Sequence, residues 1–264
     1  MILLQKYLKI WYNVYGDRMR IYEVENYEEL SKKCANIIVA QMLLNPKSVL
    51  GLATGSTPIG TYQILKEKFE LGEIDFKNIK TINLDEYIGL DKNNPQSYDY
   101  FMRENLFNYV NIKENNINIP NGTAENLEEE CKRYDNLIDE IGPIDIQILG
   151  IGNNGHIGFN EPDIKFTHKT HVVDLKKSTI EANKRFFNSI SEVPKKAITV
   201  GVDAIMNAKC VVLLVNTKDK VEILNKALNG EVTPNIPVSI LKKHNNLIII
   251  KIRVWWKYLN FSLN

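Results

Sequence analysis

Short apolar runs alternate with longer amphipathic stretches along most of the chain. The runs at 48–53 (SVLGLA), 79–84 (IKTINL), 143–149, 197–200, 210–215 and 247–250 have strand length and are bounded by glycine, proline or polar clusters. A short strand is also expected from Met19, leading into a helix. In that helix Leu30, Ile37, Ile38 and Met42 recur at helical spacing, and Pro46 stops it. Further helices are expected at 59–69, 98–107, 124–141, 178–187 and 218–228, with a short one at 237–241. The Glu128-Glu129-Glu130 run reads as a solvated helix face. This alternation predicts an α/β fold, a doubly wound and mainly parallel sheet flanked by helices. No repeat, linker or low-complexity tract interrupts it, so 1–264 is read as a single α/β domain.

Composition narrows the function classes. With 264 residues, 44% hydrophobic, the chain can bury a substantial core. A net charge of +1 supplies no broad field for nucleic acid or an anionic membrane, so neither is an expected partner and any anion site must be local. The three cysteines, Cys34, Cys131 and Cys210, form no CxxC pair and are odd in number, which fits a reducing compartment. No apolar run reaches membrane-spanning length. Residues 1–18 carry Lys6 and Lys9 within the apolar region and no small-residue cleavage site, so a cytoplasmic location is expected.

Chemistry collects after the strands. Thr54-Gly55-Ser56-Thr57-Pro58 follows the second strand, with Thr57 placed to cap the next helix and Pro58 at its first position. Backbone N–H groups and hydroxyls at a helix start suit a phosphate. The residues leave equally open a capped turn that binds nothing, because no Walker lysine is present. Asp85-Glu86-Tyr87 ends the third strand, where α/β sheets place ligand sites. Taken alone, an acid there reads as a cap or a solvated loop. The stretch 148–162 (ILGIGNNGHIGFNEP) concentrates the polar groups. Its Gly150-Ile151-Gly152-Asn153-Asn154-Gly155 matches GxGxxG, with Asp174 19 residues beyond the last glycine. A dinucleotide site needs a helix directly after the glycines, and Gly158 and Pro162 prevent one. His156 and Glu161 are spaced for the carboxylate to orient the ring and support its protonated form. From spacing alone a satisfied structural histidine is the default. The HxxxxE spacing matches no zinc motif, so no metal is expected.

Taken together, GLATGSTPIGTY, TINLDEYIGL, SYDYFMRENLF, GIGNNGHIGFNEP and TVGVDAIMNAK resemble the glucosamine-6-phosphate deaminase (isomerase) family, in order and at similar spacing from about residue 19 to 250. LDEY with GNNGHIGFNEP is the most specific part. The resemblance implies a Rossmann-like fold of the sugar-phosphate isomerase type and conversion of glucosamine 6-phosphate and water to fructose 6-phosphate and ammonia, without cofactor. It implies Asp85 as the base between C2 and C1, His156 as the ring-opening acid/base and Glu161 as the carboxylate that orients it. The third ring-opening position, an aspartate in some members, is Asn154 here, which can hydrogen-bond but holds no charge. Phosphate contacts fall on Thr54, Gly55, Ser56, Thr57, Arg185 and Lys220, with Arg185 on an expected lid. The partner implied by the resemblance is a small-molecule sugar phosphate, with self-association into a homo-oligomer left open. The alternatives are a related isomerase, a 6-phosphogluconolactonase, or a non-catalytic sugar-phosphate sensor. Residues 1–45 lack the basic helix-turn-helix that usually accompanies such a sensor.

Two departures stand out. Some bacterial members bind N-acetylglucosamine 6-phosphate at an allosteric site after the NEP motif. The aligned places here are Ile164, His171, Val173 and Asp174, and an aspartate repels phosphate, so this regulation is expected to be absent. The tails 1–18 and 251–264 are atypical and hold Trp11, Trp255 and Trp256. An upstream start codon and a late frameshift are the expected explanation, and real extensions the alternative.

Overall fold

A computed structural model describes residues 18–184 and 187–254. Seven strands make one parallel sheet, ordered β1-β10-β9-β6-β2-β3-β5. They are β1 (Met19–Val24), β2 (Val49–Leu52), β3 (Lys80–Asn83), β5 (Ile117–Asn118), β6 (Ile146–Gly150), β9 (Val211–Val215) and β10 (Leu247–Ile252). The central strand β9 is apolar on both faces because both faces are covered. Along β9, Val211, Leu213 and Val215 pack towards one helical layer, while Val212 and Leu214 pack towards the other. Burying each such side chain contributes about 1.5–3 kcal/mol.

One layer contains α1 (Tyr27–Leu44), α2 (Ile59–Glu70) and α3 (Tyr98–Asn105), which meet the sheet through Leu30, Ile38, Tyr62, Leu65 and Met102. The other contains α4 (Leu127–Ile141), α6 (Val202–Met206) and α7 (Lys218–Asn229), through Tyr134, Ile205 and Leu224. A further helix, α5 (Lys177–Asn183), follows β7 (His171–Asp174). The predicted helix at 237–241 is a 3₁₀ helix over Pro237–Lys243. Among the described residues no helix is long and apolar enough to cross a membrane.

The predicted doubly wound, mainly parallel sheet is therefore present. The run at 197–200, however, joins a separate antiparallel sheet, β4-β8-β7, made of β4 (Asp85–Tyr87), β8 (Lys196–Thr199) and β7. This sheet starts where β3 stops. Leu84 donates its N–H to Leu52 O of the large sheet (3.3 Å) and accepts from Val200 N (2.8 Å) beside the small one.

Strand order reverses between β2 and β6. From β2 the chain winds outward through β3 to β5, and from β6 it winds the other way through β9 to β10. Open α/β sheets bind ligands at the carboxyl ends of strands flanking such a switch point. The Thr54–Thr57 turn leaves β2 there, and the glycine-rich turn leaves β6 there.

The C-terminal strand extends past the expected family boundary at 250. Lys251 and Ile252 continue β10, and Arg253 N donates to Val24 O (2.7 Å). Lys251 pairs with Glu23, and Arg253 pairs with Glu25 and, at 4.0 Å, with Glu23. Two residues of the atypical tail, Lys251 and Arg253, are thus complementary in charge to Glu23 and Glu25 at the end of β1. Residues 1–17 and 255–264, which hold the three tryptophans, lie outside the described residues.

Candidate active site

Three loops and the small sheet converge on the switch point. The Thr54–Thr57 turn differs from expectation in its cap. The cap position of α2 is Pro58, with no side-chain cap bond. The Thr57 hydroxyl is instead turned across the crevice, 3.3 Å from Asn216 Oδ1 after β9 and 3.4 Å from Lys220 Nζ on α7. Two polar groups on α7 and its approach hold the hydroxyl more effectively than the helix start does. Gly55 has φ +86°, the left-handed conformation that glycine adopts without a Cβ penalty. Thr54, Gly55, Ser56, Thr57 and Lys220 therefore form one cluster that joins β2 to α7. Arg185 lies outside the described residues.

Asp85 opens β4 opposite Thr199 of β8 and is 6% exposed. Burial, with the neighbouring Glu86 charge, raises its pKa from 3.8 to about 8. The Asp85 carboxylate reaches Gly158, where a Cβ would stand 3.4 Å from Oδ2. Gly158 has φ +56°, so both backbone and space call for glycine there.

Glu86 points away from Asp85 along the strand and accepts backbone N–H bonds from Tyr87 (2.8 Å), Tyr98 (2.9 Å) and Asp99 (2.9 Å). It thereby ties β4 to the start of α3. Burial raises its pKa to about 7 against the pull of these donors. The Tyr98 ring packs on Tyr87 with centroids 4.7 Å apart. The same ring stacks on Phe159 with centroids 5.9 Å apart and planes at 13°. Aromatic packing thus connects the Asp85 strand, the start of α3 and the turn that carries His156. The loop after β5 closes over β4, and a Cβ on Gly122 would lie 2.0 Å from Tyr87 O. Gly122→Ala is expected to cost roughly 1–3 kcal/mol through this backbone clash. Urea denaturation would show it as a lowered midpoint at unchanged slope.

His156 emerges from the glycine-rich turn after β6, with no helix after the glycines. This removes the geometry a dinucleotide needs. The turn closes on itself through Gly155 N to Gly152 O (2.9 Å) and Gly152 N to His156 O (3.0 Å). The imidazole lies over Gly152, where a Cβ would fall 2.2 Å from its ring. Thr199 Oγ1 accepts from Phe159 N (3.1 Å), and Asn160 Nδ2 donates to Ile157 O (3.0 Å) and Val200 O (2.9 Å). β8 thus anchors the turn beside Asp85.

Glu161 is buried. Its Oε2 accepts from Asn154 Nδ2 (2.7 Å), and its Oε1 accepts from the Thr179 hydroxyl of α5. His156 Nδ1 lies 3.6 Å from Oε2, within ion-pair range but beyond a hydrogen bond, and has no hydrogen-bond partner among the described residues. Burial by itself would raise the Glu161 pKa. The neighbouring His156, with the Thr179 and Asn154 donors, outweighs it and lowers the pKa to about 2. Asn154 also accepts from His156 N (3.1 Å) through Oδ1. Its amide therefore uses both a donor and an acceptor, whereas an aspartate would place charge against Glu161. The four expected residues Asp85, Asn154, His156 and Glu161 are brought to one region. Sequence reasoning missed Tyr98, Thr179 and the backbone role of Glu86. Only the doubled acid in LDEY gave any signal for these.

At the positions expected for an allosteric site, Ile164 is 89% exposed and Asp174 pairs with Lys196 at 3.6 Å. His171 Nδ1 lies 2.9 Å from Lys169 O, and burial lowers the His171 pKa, which disfavours its charged form. A cavity of about 320 Å³ adjoins His171, Val173 and Asp174, and in its lining Glu161, Asp163 and Asp174 outnumber Lys165 and Lys176.

Comparison with known proteins agrees with this geometry. Residues 23–250 match the family described as glucosamine-6-phosphate isomerases/6-phosphogluconolactonase. The chain is 56% identical over 232 residues to a glucosamine-6-phosphate deaminase of Clostridium botulinum (strain Kyoto / Type A2), covering 88% of this chain and 95% of that protein. It is equally similar, at 56%, to the same enzyme of Lachnoclostridium phytofermentans, covering 88% of this chain and 98% of that one. A solved monomeric glucosamine-6-phosphate deaminase superposes with a TM-score of 0.87 at 45% identity, covering 89% of this chain and 98% of that one. A 6-phosphogluconolactonase of Thermotoga maritima shares the fold, with a TM-score of 0.72 at 19% identity over 89% of this chain and 100% of that one. The chain belongs to the glucosamine-6-phosphate isomerase/6-phosphogluconolactonase family.

Proposed function

We propose that this protein is a glucosamine-6-phosphate deaminase in which Asp85 and the His156–Glu161–Asn154 group divide the acid–base work. The carrying observation is the pair of stations at one switch point. A single buried carboxylate abuts Gly158, and two residues earlier stands a histidine backed by an ionised carboxylate. The deaminase identity of relatives sharing more than half their residues supports the same reading.

The sugar phosphate anchors its dianion at Thr54–Thr57 with Lys220, where no bond changes. That binding energy orients the far end of the sugar. His156 moves a proton between the anomeric hydroxyl and the ring oxygen, which opens the pyranose to the aldehyde. Glu161 stabilises the imidazolium in passing. Asp85, as carboxylate, takes the proton from C2 while O1 gains one from the substrate's own ammonium group, which gives an enolamine, and Asp85 then returns its proton to C1. The product is the ketimine of fructose 6-phosphate, and water hydrolyses it to the ketone and ammonia. Each placed acid or base contributes about 10²–10⁴-fold.

Ammonia release from glucosamine 6-phosphate, measured beside hydrolysis of 6-phosphogluconolactone, tests the reading. Turnover of the first substrate alone is expected, and preference for the lactone would reject it. N-acetylglucosamine 6-phosphate is expected to leave the substrate saturation curve in place. The cavity beside Asp174 offers a dianion no net positive charge, and a leftward shift of the curve would contradict this.

A further inference from the structure

We propose that Thr179 is a positioning residue for the ring-opening group, holding the Glu161 carboxylate at the angle from which it serves His156. This rests on the proposed function. Thr179 is 4% exposed and lies in the first turn of α5, 18 residues beyond Glu161. A threonine there could use its hydroxyl within its own helix. Instead the backbone satisfies the turn, with Thr179 N donating to Lys176 O (2.9 Å), and the hydroxyl donates to Glu161 Oε1. Asn154 Nδ2 holds the other oxygen at 2.7 Å. With one donor on each oxygen, the carboxylate cannot rotate about its Cγ–Cδ bond without breaking a bond. That fixes Oε2 towards His156 Nδ1.

The helix has its own attachments apart from this bond. Asn183 Nδ2, one turn along, donates to Tyr87 Oη (2.8 Å), and Ile180 packs against the cluster of Tyr87, Phe159 and Leu175. Removing one hydroxyl should therefore leave α5 docked. The titratable group facing Glu161 is His156. Asn154 and Thr179 supply uncharged donors, and Asp163, Lys165, His171, Asp174 and Lys176 line the cavity that Glu161 adjoins.

Thr179→Val keeps the shape and removes the donor, while Thr179→Ser keeps the donor. Thr179→Val is expected to lower kcat roughly 10-fold or more, as for loss of a hydrogen bond to a charged group, with KM within about 2-fold. Thr179→Ser should remain near wild type. Independently of turnover, the Glu161 side-chain carbon, followed by ¹³C NMR, should titrate at higher pH in Thr179→Val than in wild type. Equal loss in both variants would assign the effect to the methyl group and overturn the proposal. So would an unchanged kcat in Thr179→Val, or a Glu161 midpoint that does not move. Should the wild type release no ammonia, the deaminase reading fails and the Glu161 titration alone decides the role of Thr179.

Discussion

Asp85→Asn is expected to reduce ammonia release by about 10²–10⁴-fold, as for removal of a placed general base, while sugar-phosphate binding persists. The same change should stabilise the protein at alkaline pH. Burial and Glu86 raise the Asp85 pKa from 3.8 to about 8, so between those values the folded state holds a proton that the unfolded chain has released. Stability therefore falls as pH rises through this window, and the penalty is complete above about 8. Asparagine carries no such penalty. A tenfold change in proton affinity corresponds to about 1.4 kcal/mol, so a gain on the order of 2–5 kcal/mol is expected at pH 9, fading towards pH 4. Melting temperatures of both proteins at pH 5 and pH 9 would show a gap that widens with pH. Parallel curves would mean that Asp85 is not held protonated. In the wild type, the acid limb of kcat/KM should rise through the same region, because only the carboxylate can accept the C2 proton.

Gly152→Ala should come close to deleting His156. The added methyl would lie 2.2–2.5 Å from three imidazole atoms, and the ring is the part free to move. The backbone at Gly152 is not in the left-handed region, so alanine is admissible there without strain. The histidine is expected to swing out of line with Glu161 while the fold persists, and turnover should drop about 10²-fold or more. An imidazole signal displaced in NMR, with a melting temperature near that of wild type, would accompany the loss. Full activity would show that His156 does its work from another position.

Much of the fold was readable because its signal is local. The runs at 48–53 and 210–215 are buried on both faces and almost wholly apolar, while the run at 143–149 is apolar except for Asp145 and Gln147, whose buried side chains are hydrogen-bonded. α4 and α7 show helical periodicity for the complementary reason, one buried face each. The small sheet was not readable in this way. Asp85-Glu86-Tyr87 and His171–Asp174 are polar or half-buried, and they become strands only because β8 supplies partners from far along the chain. β5 has two residues, too few for any period. At the site, the turn residues after β2 and β6 stood out by glycine content. The roles of Asp85, His156 and Glu161 came from family resemblance rather than from spacing. Thr179 was hidden because a threonine in KSTIEAN looks like any solvated helix residue until the fold brings Glu161 against it. The Thr57 cap failed for a similar reason, since its preferred partners lie on α7 and the turn before it.

The division of the site between two sheets bears on which sugars can react. In the proposed assignment the anionic handle is gripped by the turn that leaves β2 and by Lys220 on α7, both fixed to the large sheet. The carboxylate proposed to transfer the proton, Asp85, belongs to β4, and Thr199 and Asn160 brace the histidine turn against the end of β8. The separation between grip and base is therefore built into the junction at Leu84, where the backbone bonds to both sheets. On that assignment the protein is expected to act as a ruler for chain length. An amino sugar phosphate one carbon shorter would still be held by its phosphate, yet its C1–C2 bond would fall short of Asp85. Discrimination by length should thus appear in kcat more than in affinity.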